Sequence, residues 1–319
     1  MRHRSLIRVT TAVALTVMLA AACSPADPEP ASGDETRTVD DQFGTVTFTG
    51  TPERVVASGN TESDIAIALG VTPVAMGQWY DEDDGSSPWR REMLDGEQPE
   101  IIGYNPDGYD VEETLAFEPD LVLGGFDLEE EPYRQLSAVA PTLSMPYSAT
   151  GDELTRAVGV ALNREAEAED LIERTQAMVA DAAEEFPELD GKTISVVSDG
   201  SPGTLVDMTG ATLNLGMLEG LGLTGAPGVS DFAADDYTEV PAENWTVFDG
   251  DILVVAYYDE AVRAEVEASE LFQRIPAVRN GHYLALTDRD DVELIRAAAP
   301  PWVQYALRIL VPRLAEIAR

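Results

Sequence analysis

The chain has 319 residues, of which 44% are hydrophobic, so it can build about two domains with a sizeable core. Its 59 acidic and 20 basic residues give a formal charge of −39 at neutral pH. This balance argues against nucleic acid as a partner, because neutralising phosphates requires clustered Lys and Arg.

Residues 1–22 have the features of a secretory signal. Three arginines near the start precede a short apolar stretch at 9–22 that ends in small residues. Cys23 follows directly and is the only cysteine, so an intramolecular disulfide is impossible. The run L-A-A-A-C resembles a lipoprotein processing site, although Ala20 stands where Leu is usual. We expect a lipidated Cys23 that anchors the protein to the outer face of the cell membrane; a buried structural cysteine is the alternative.

From residue 38 onwards, after a tether at 23–37 rich in Pro, Ser and acids, short apolar runs alternate with helical patterns. A hairpin is predicted around 40–48. The other predicted strands are 54–58, 72–76, 101–102, 120–125, 142–144, 193–198, 204–208, 251–258 and 282–286. The predicted helices and helical turns are 60–69, 111–117, 133–139, 211–221, 241–247, 271–275 and 302–317. Such alternation indicates parallel strands joined by helical crossovers.

One long helical pattern at 152–186 interrupts this alternation near the middle of the chain. A T-x-x-E capping box, Thr150 with Glu153, marks its start, and Pro187 marks its end. A single helix over this span would be roughly 50 Å long. We predict that 150–187 connects two α/β lobes, 38–149 and 188–319; the alternative is one long helix inside a single domain.

Six stretches resemble, in order, the motifs of one protein family. They read FGTVTFTGTPERVV, VEETLAFEPDLVLG, YRQLSAVAPTL, NREAEAEDLI, LFQRIPAVRNGHYLAL and APPWVQYALRILVPRLA. Each is weak alone, but together, behind a lipoprotein signal, they resemble the solute-binding lipoproteins of ABC importers. The resemblance is to the subclass that carries ferric siderophores, haem or cobalamin.

The resemblance implies two α/β lobes with parallel-rich central sheets, joined by one long α-helix, with a ligand cleft between them and little hinge motion. It implies a monomer without a cofactor that captures a ferric siderophore and delivers it to the permease subunits of an ABC importer. A cobalamin or haem carrier of the same fold is the alternative. A membrane-anchored α/β enzyme is a further alternative from another class.

Catalytic and metal-binding motifs are missing from the sequence. Without residues 1–22, His282 is the only histidine, and no G-x-S-x-G, phosphate-loop or H-E-x-x-H motif is present. One histidine cannot supply the ligand set that bare zinc or manganese requires. We therefore expect no enzyme activity, and iron that arrives already bound by a chelator.

Aromatic and arginine side chains gather in segments that follow predicted strands. Ligands of open α/β sheets bind beyond the carboxyl ends of the strands, so these side chains are the candidate ligand contacts. They are Trp79, Tyr80, Trp89, Arg90, Tyr104 and Phe126 in the first lobe, and Tyr257, Arg289 and Trp302 in the second. Ordinary packing is the alternative for each, since Trp and Tyr are often partly buried.

The resemblance also implies that two acidic residues contact the permease. In this family one surface Glu of each lobe meets Arg residues of the permease. The matching positions are Glu112, ahead of PDLV, and Glu243, ahead of DILVV. Charge pairs of this kind steer docking and fix its register. Glu113 is the rival of Glu112, and plain surface acids are the alternative for both.

Overall fold

The structure is a computed structural model that describes residues 36–78, 87–94, 98–103, 109–208, 215–228, 238–296 and 299–319. Its strands are β1 Thr36–Asp41, β2 Gly44–Thr49, β3 Val55–Ala57, β4 Ala75–Gly77, β5 Glu100–Ile102, β6 Leu121–Gly124, β7 Thr142–Ser144, β8 Thr193–Asp199, β9 Thr204–Asp207, β10 Thr224–Gly225, β11 Glu239–Pro241, β12 Ile252–Ala256 and β13 Tyr283–Leu286.

The α-helices are α1 Asn60–Ala68, α2 Pro88–Met93, α3 Val111–Ala116, α4 Glu130–Ser137, α5 Gly151–Leu162, α6 Glu165–Glu185, α7 Leu215–Gly220, α8 Glu260–Ala268, α9 Pro276–Asn280, α10 Arg289–Glu293, α11 Pro300–Ile309 and α12 Val311–Ile317. Short 3₁₀ helices lie at Pro187–Leu189, Ala242–Val247, Phe272–Arg274 and Leu294–Arg296.

Two parallel-rich sheets form the frame, as predicted, with the hairpin β1–β2 beside them. The first sheet has the order β5-β4-β3-β6-β7, and all its neighbouring strands are parallel. In the second sheet, of order β11-β9-β8-β12-β13, β8, β12 and β13 are parallel, whereas β9 and β11 are antiparallel additions. Strands β3, β6 and β12 are buried along their whole length, which is typical of parallel sheets covered on both faces.

The predicted single helix over 152–186 is wrong, because the structure has two helices there. The capping box at the start is confirmed, with reciprocal hydrogen bonds between Thr150 and Glu153. Helix α5 ends at Asn163, which adopts the left-handed conformation that Asn tolerates better than most residues. At this corner a Cβ on Gly159 would stand 2.6 Å from the Cβ of Ala168, so the close approach of α5 and α6 requires glycine.

Helix α6 is the actual connector between the lobes. Its 21 residues span about 31 Å. Ala168 and Leu171, in its first half, pack into the core of the first lobe together with α5. Ala182, in its second half, packs into the core of the second lobe. Helix α5 therefore belongs to the first lobe, and the connection is shorter than predicted.

The closing helix is also divided, into α11 and α12, where one helix over 302–317 was predicted. Pro312 lies in the first turn of α12. Without a backbone N–H it cannot continue the hydrogen-bond pattern of α11, and its ring would clash with the carbonyl of Arg308 in an unbroken helix. Both segments pack into the second-lobe core through residues such as Ala306 and Leu314.

A buried polar cluster joins the lobes. The carboxylate of Asp64 on α1 accepts hydrogen bonds from Trp89 Nε1 at 2.6 Å, from Arg90 Nε at 2.7 Å and from Trp302 Nε1 on α11. Arg90 also donates to Ser63 Oγ at 3.1 Å. Because Asp64 is fully buried and its charge is paired, this Asp64 cluster ties α11 to the first lobe. Thr36–Arg319 accordingly forms one compact unit.

Candidate functional site

A cavity of about 330 Å³ lies at the carboxyl edge of the first sheet. The carboxyl ends of β3, β4, β5 and β6 and the segments that follow them contribute to its wall, and each of the four provides a glycine: Gly59, Gly77, Gly103 and Gly125. A Cβ on Gly59 would lie only 2.9 Å from the Cα of Gly125, so at this position the backbones approach too closely for any side chain. This is the edge at which ligands of open α/β sheets bind.

Glu62 is buried and lines the cavity. Its carboxyl folds back over Gly59 at the start of α1 and accepts a hydrogen bond from its own backbone N–H. Burial raises the pKa of Glu62 to about 8, and repulsion from Asp127 and Asp64 contributes in the same direction. The carboxyl is therefore mostly protonated at neutral pH and ionises only in mild alkali.

Tyr109 lines the cavity, but its hydroxyl oxygen is fully buried. Ser58 and Thr114 are its polar neighbours. Their hydroxyls donate to the carbonyl oxygens of Leu123 and Asp110, at 3.2 and 2.8 Å, so their oxygen atoms can accept a hydrogen bond from Tyr109. Burial raises the pKa of Tyr109, so the phenol remains neutral.

The second sheet also presents side chains at its carboxyl edge. Asp199, at the end of β8, accepts hydrogen bonds from the backbone N–H groups of Tyr258 and Asp259, at 3.0 and 3.2 Å. This fixes the segment after β12 and leaves the Tyr258 side chain exposed. Arg289 is exposed at the start of α10, three residues beyond the end of the neighbouring strand β13. The second lobe thus has an aromatic and a cation at its corresponding edge.

The sequence matches the periplasmic binding protein family over residues 55–289. The chain belongs to this family. The Fe(3+)-citrate-binding protein YfmC of Bacillus subtilis is 26% identical over 299 residues, which cover 89% of this chain and 90% of YfmC. The "Probable siderophore-binding lipoprotein YfiY" of the same organism is 28% identical over 218 residues, 61% of this chain and 64% of YfiY.

A solved structure supports the fold. The periplasmic solute binding protein of Mycobacterium smegmatis superposes with a TM-score of 0.78 at 24% identity, covering 89% of this chain and 99% of that one. The family and its relatives are substrate-binding transport proteins rather than enzymes, in agreement with the prediction from the sequence.

Three predicted ligand contacts of this binding protein need correction. Trp89, Arg90 and Trp302 are buried in the Asp64 cluster and do not line the cavity. The rings of Trp89 and Trp302 pack with centroids 5.1 Å apart, which joins α2 to α11. Because their polar atoms are used to bind Asp64, the structure gives these residues a role in holding the lobes together.

Tyr257 is a fourth predicted ligand contact that the structure contradicts. It is buried in the second-lobe core, where its hydroxyl accepts a hydrogen bond from Tyr283 at 3.1 Å. Tyr283 in turn contacts Glu267 at 2.9 Å. The exposed neighbour, Tyr258, is the tyrosine that a ligand could reach.

Phe126 is a predicted ligand contact that lines the cavity. It lines the wall, is exposed, and packs edge-on against Tyr147 with centroids 5.1 Å apart. Contact of Phe126 and Arg289 with a ligand stays a prediction. The predicted contacts Trp79, Tyr80 and Tyr104 lie outside the described residues, as does Cys23.

The two acids assigned to permease docking are exposed at helix starts, as expected. Glu112 is the second residue of α3, and Glu243 is the second residue of the 3₁₀ helix Ala242–Val247. Asp110 caps α3 by accepting a hydrogen bond from the N–H of Glu113 at 2.8 Å. Glu112 is exposed, whereas its neighbour Glu113 is partly buried.

Sequence reasoning missed Glu62, Tyr109 and Asp127, which line the cavity. Asp127 directly follows Phe126, so the rule that selected Phe126 could have included it. Tyr109 lies in the segment between β5 and α3, from which the same rule selected only Tyr104. Among the described residues no group of three His, Cys, Asp or Glu could hold a metal ion, and no helix in that part of the chain is long and apolar enough to cross a membrane.

Proposed function

We propose that this binding protein captures a ferric siderophore outside the cytoplasm, as a monomer, and delivers it to an ABC importer. The main support is the cavity at the carboxyl edge of the first sheet, which is lined by the exposed aromatic Phe126. A ferric chelate offers an organic periphery that can pack against the aromatic ring. The names of the two bacterial relatives, which refer to ferric citrate and siderophores, favour the same class of ligand.

The chelator, rather than bare iron, is the species expected in the site. Without residues 1–22, His282 is the only histidine in the sequence. Its ring contacts the backbone carbonyl of Asp251 at 3.1 Å, and it does not line the cavity. Carboxylates near the cavity lack the clustered geometry that a metal site requires among the described residues. Recognition therefore depends on the organic part of the chelate.

Binding of a ferric chelate is the first expected result. Titration of the purified protein with ferric hydroxamates, ferric citrate, ferric catecholates, haem and cobalamin, followed by calorimetry, should show at least one ferric chelate with a Kd of about 1 μM or tighter. Iron salts without a chelator should not bind in the cavity. Tight binding of haem or cobalamin alone would replace the siderophore assignment by the corresponding alternative.

Docking to the permease is assigned to Glu112 and Glu243. Each is exposed at the start of a helical segment, and each precedes a buried central strand, β6 or β12, in its own lobe. Neither lines the cavity. One acid on each lobe lets a permease with matching arginines recognise both lobes at once, which fixes the orientation of the bound carrier.

Anchoring to the outer face of the cell membrane is assigned to Cys23. It is the only cysteine and follows the signal-like stretch 1–22, and one relative carries the word lipoprotein in its name. Cys23→Ala should move the protein from the membrane fraction to the soluble extracytoplasmic fraction, because the lipid chain supplies the membrane affinity. Ser24→Ala is the matched control and should remain with membranes. Unchanged retention of Cys23→Ala would contradict the assignment.

A further inference from the structure

A second cavity, of about 440 Å³, is lined by helices of both lobes. Its described lining residues belong to α1 and α2, to the connector α6 and to α11. None of them lines the cavity at the first sheet: α1 lines that cavity with its first residues, 60–62, and the second one with its last residues, Ile67 and Ala68. The second cavity is therefore a separate one, and we call it the interlobe cavity.

One part of the interlobe cavity is apolar and adaptable. Ile67 and Leu171 are buried in its wall, whereas Met93 and Met178 are only partly buried and pack against the second-lobe core. Methionine side chains are flexible and polarizable, so they can adjust to apolar ligands of irregular shape. The volume lies within the range of about 300–1,000 Å³ that is usual for small-molecule sites. The cavity thus offers both room and an apolar wall to an organic ligand.

The charged part of the interlobe cavity is more positive than negative. Its described lining residues include two arginines, Arg174 and Arg308, and one acid, Glu92. The whole chain has the opposite balance, since its 59 acids far outnumber its 20 bases. A concave wall with a local excess of cations attracts anions. The interlobe cavity is thus suited to a negatively charged ligand although the protein as a whole is strongly acidic.

Arg174, on α6, is the cation that is available to a ligand. It is exposed, and within the described part of the chain its side chain makes no hydrogen bond or ion pair. Other exposed or partly exposed arginines are paired with acids, as Arg156 is with Glu169 at 2.8 Å and Arg263 with Glu267 at 2.9 Å. A guanidinium without a counter-charge can bind a carboxylate through two parallel N–H···O hydrogen bonds.

Arg308, on α11, is already engaged. Its Nη2 donates to Glu92 of α2 at 2.6 Å, and its guanidinium carbon lies 5.2 Å from the centroid of the Tyr305 ring. The side chains of Arg308 and Glu92 are each about half exposed, so their ion pair contributes little to stability. A ligand anion can therefore replace Glu92 as the partner of Arg308 at small cost, which makes Glu92 a competitor of the ligand.

We propose that the interlobe cavity is a second ligand site, separate from the capture of a ferric siderophore, and that it takes an amphipathic carboxylate such as a medium-chain fatty acid. The carboxylate pairs with Arg174, and the hydrocarbon chain packs against Met93 and Met178. Because the lining residues come from both lobes, the ligand contacts both of them. It therefore stabilises their native arrangement, as any ligand that binds only the folded state does.

Calorimetric titration of the full-length protein with decanoate at low salt tests the site. We expect one saturable site with a Kd of about 100 μM or tighter. Arg174→Gln should weaken decanoate about fivefold or more, because it removes the counter-charge. Glu92→Gln should strengthen it about threefold, because it removes the competing anion and releases Arg308. Arg279→Gln is the matched control: this arginine is exposed on α9, does not line the cavity, and its loss should leave the affinity unchanged.

Two further comparisons separate the charged part from the apolar part. Decylamine has the same chain as decanoate but a positive head group, so Arg174→Gln should not weaken its binding. Met178→Glu places a negative charge on the apolar wall and should abolish decanoate binding, whereas Met178→Leu keeps the wall apolar and should remain within about threefold of the unmodified protein.

Absence of saturable decanoate binding would refute the second site. Equal decanoate affinities in the unmodified protein and Arg174→Gln, or in Met178→Glu and Met178→Leu, would show that decanoate binds elsewhere on the surface and would also refute it. A loss of ferric-chelate affinity in Arg174→Gln that parallels the loss for decanoate would mean that the interlobe cavity belongs to the siderophore site, and the separate site would be overturned. Siderophore capture is refuted independently, by failure to bind any ferric chelate.

Discussion

Replacing Asp64 by Ala should lower the free energy of unfolding by about 3–5 kcal/mol, the usual cost of breaking a buried ion pair by removing one partner. Arg90 would remain buried without its counter-charge, and the indole N–H groups of Trp89 and Trp302 would lose their acceptor. Each of these losses leaves a polar group unsatisfied in the interior. The midpoint of urea unfolding is the appropriate measurement.

Two further variants test whether the loss of stability is specific to the Asp64 cluster. Asp181→Ala removes the same carboxylate from an exposed position on α6 and should leave the unfolding midpoint nearly unchanged. Trp302→Phe removes one donor but retains an aromatic ring between the lobes, and it should cost about 1–3 kcal/mol. A loss below about 1 kcal/mol for Asp64→Ala would show that the Asp64 cluster does not hold the lobes together.

The double variant Glu112→Ala, Glu243→Ala should reduce cellular uptake of the ferric chelate about tenfold or more while leaving its binding to the purified protein unchanged. Both side chains are exposed and lie outside the cavity, so neither folding nor ligand affinity depends on them. Their contribution is to association with the permease, where close charge pairs can be worth more than tenfold each. Lower salt should enlarge the difference from the unmodified protein, because screening weakens such pairs.

The control for this result is Glu113→Ala with Glu265→Ala, which removes two acids from α3 and α8 at positions not assigned to docking. Uptake should stay within about twofold of the unmodified protein, since charge pairs away from an interface contribute little. An equal loss in the control pair would mean that total charge, or Glu113, matters rather than the two assigned positions. A fall in ligand affinity in the first double variant would also contradict the assignment.

Local signals in the sequence predicted local structure well. The capping box of Thr150 and Glu153 was identified because both partners lie within one helical turn. The short buried strands were also found, since apolar runs bounded by turn residues are a reliable signal. Helical periodicity, however, continues across Asn163 and Leu310, so it could not locate the breaks there. Asn at the first break and Pro312 beyond the second were the available warnings.

The cavity and the Asp64 cluster show what the sequence leaves undetermined. Asp64 and Trp302 are separated by 238 positions, and no periodicity or spacing connects them. The rule that ligands bind beyond strand ends selected Phe126, which lines the cavity. It chose Tyr257 instead of Tyr258 because β12 is buried on both faces and gives no alternation to orient the following residues.

The double attachment of the lobes, through α6 and through α11, has a consequence for the importer. If the lobes cannot close substantially around a chelate, empty and loaded carriers present almost the same outline to the permease. The two forms then compete for one docking surface, and an excess of empty carrier acts as an inhibitor of transport. The net rate of import is set by the occupied fraction of the carrier pool, so the abundance of this protein relative to its ligand becomes a control point for the cell.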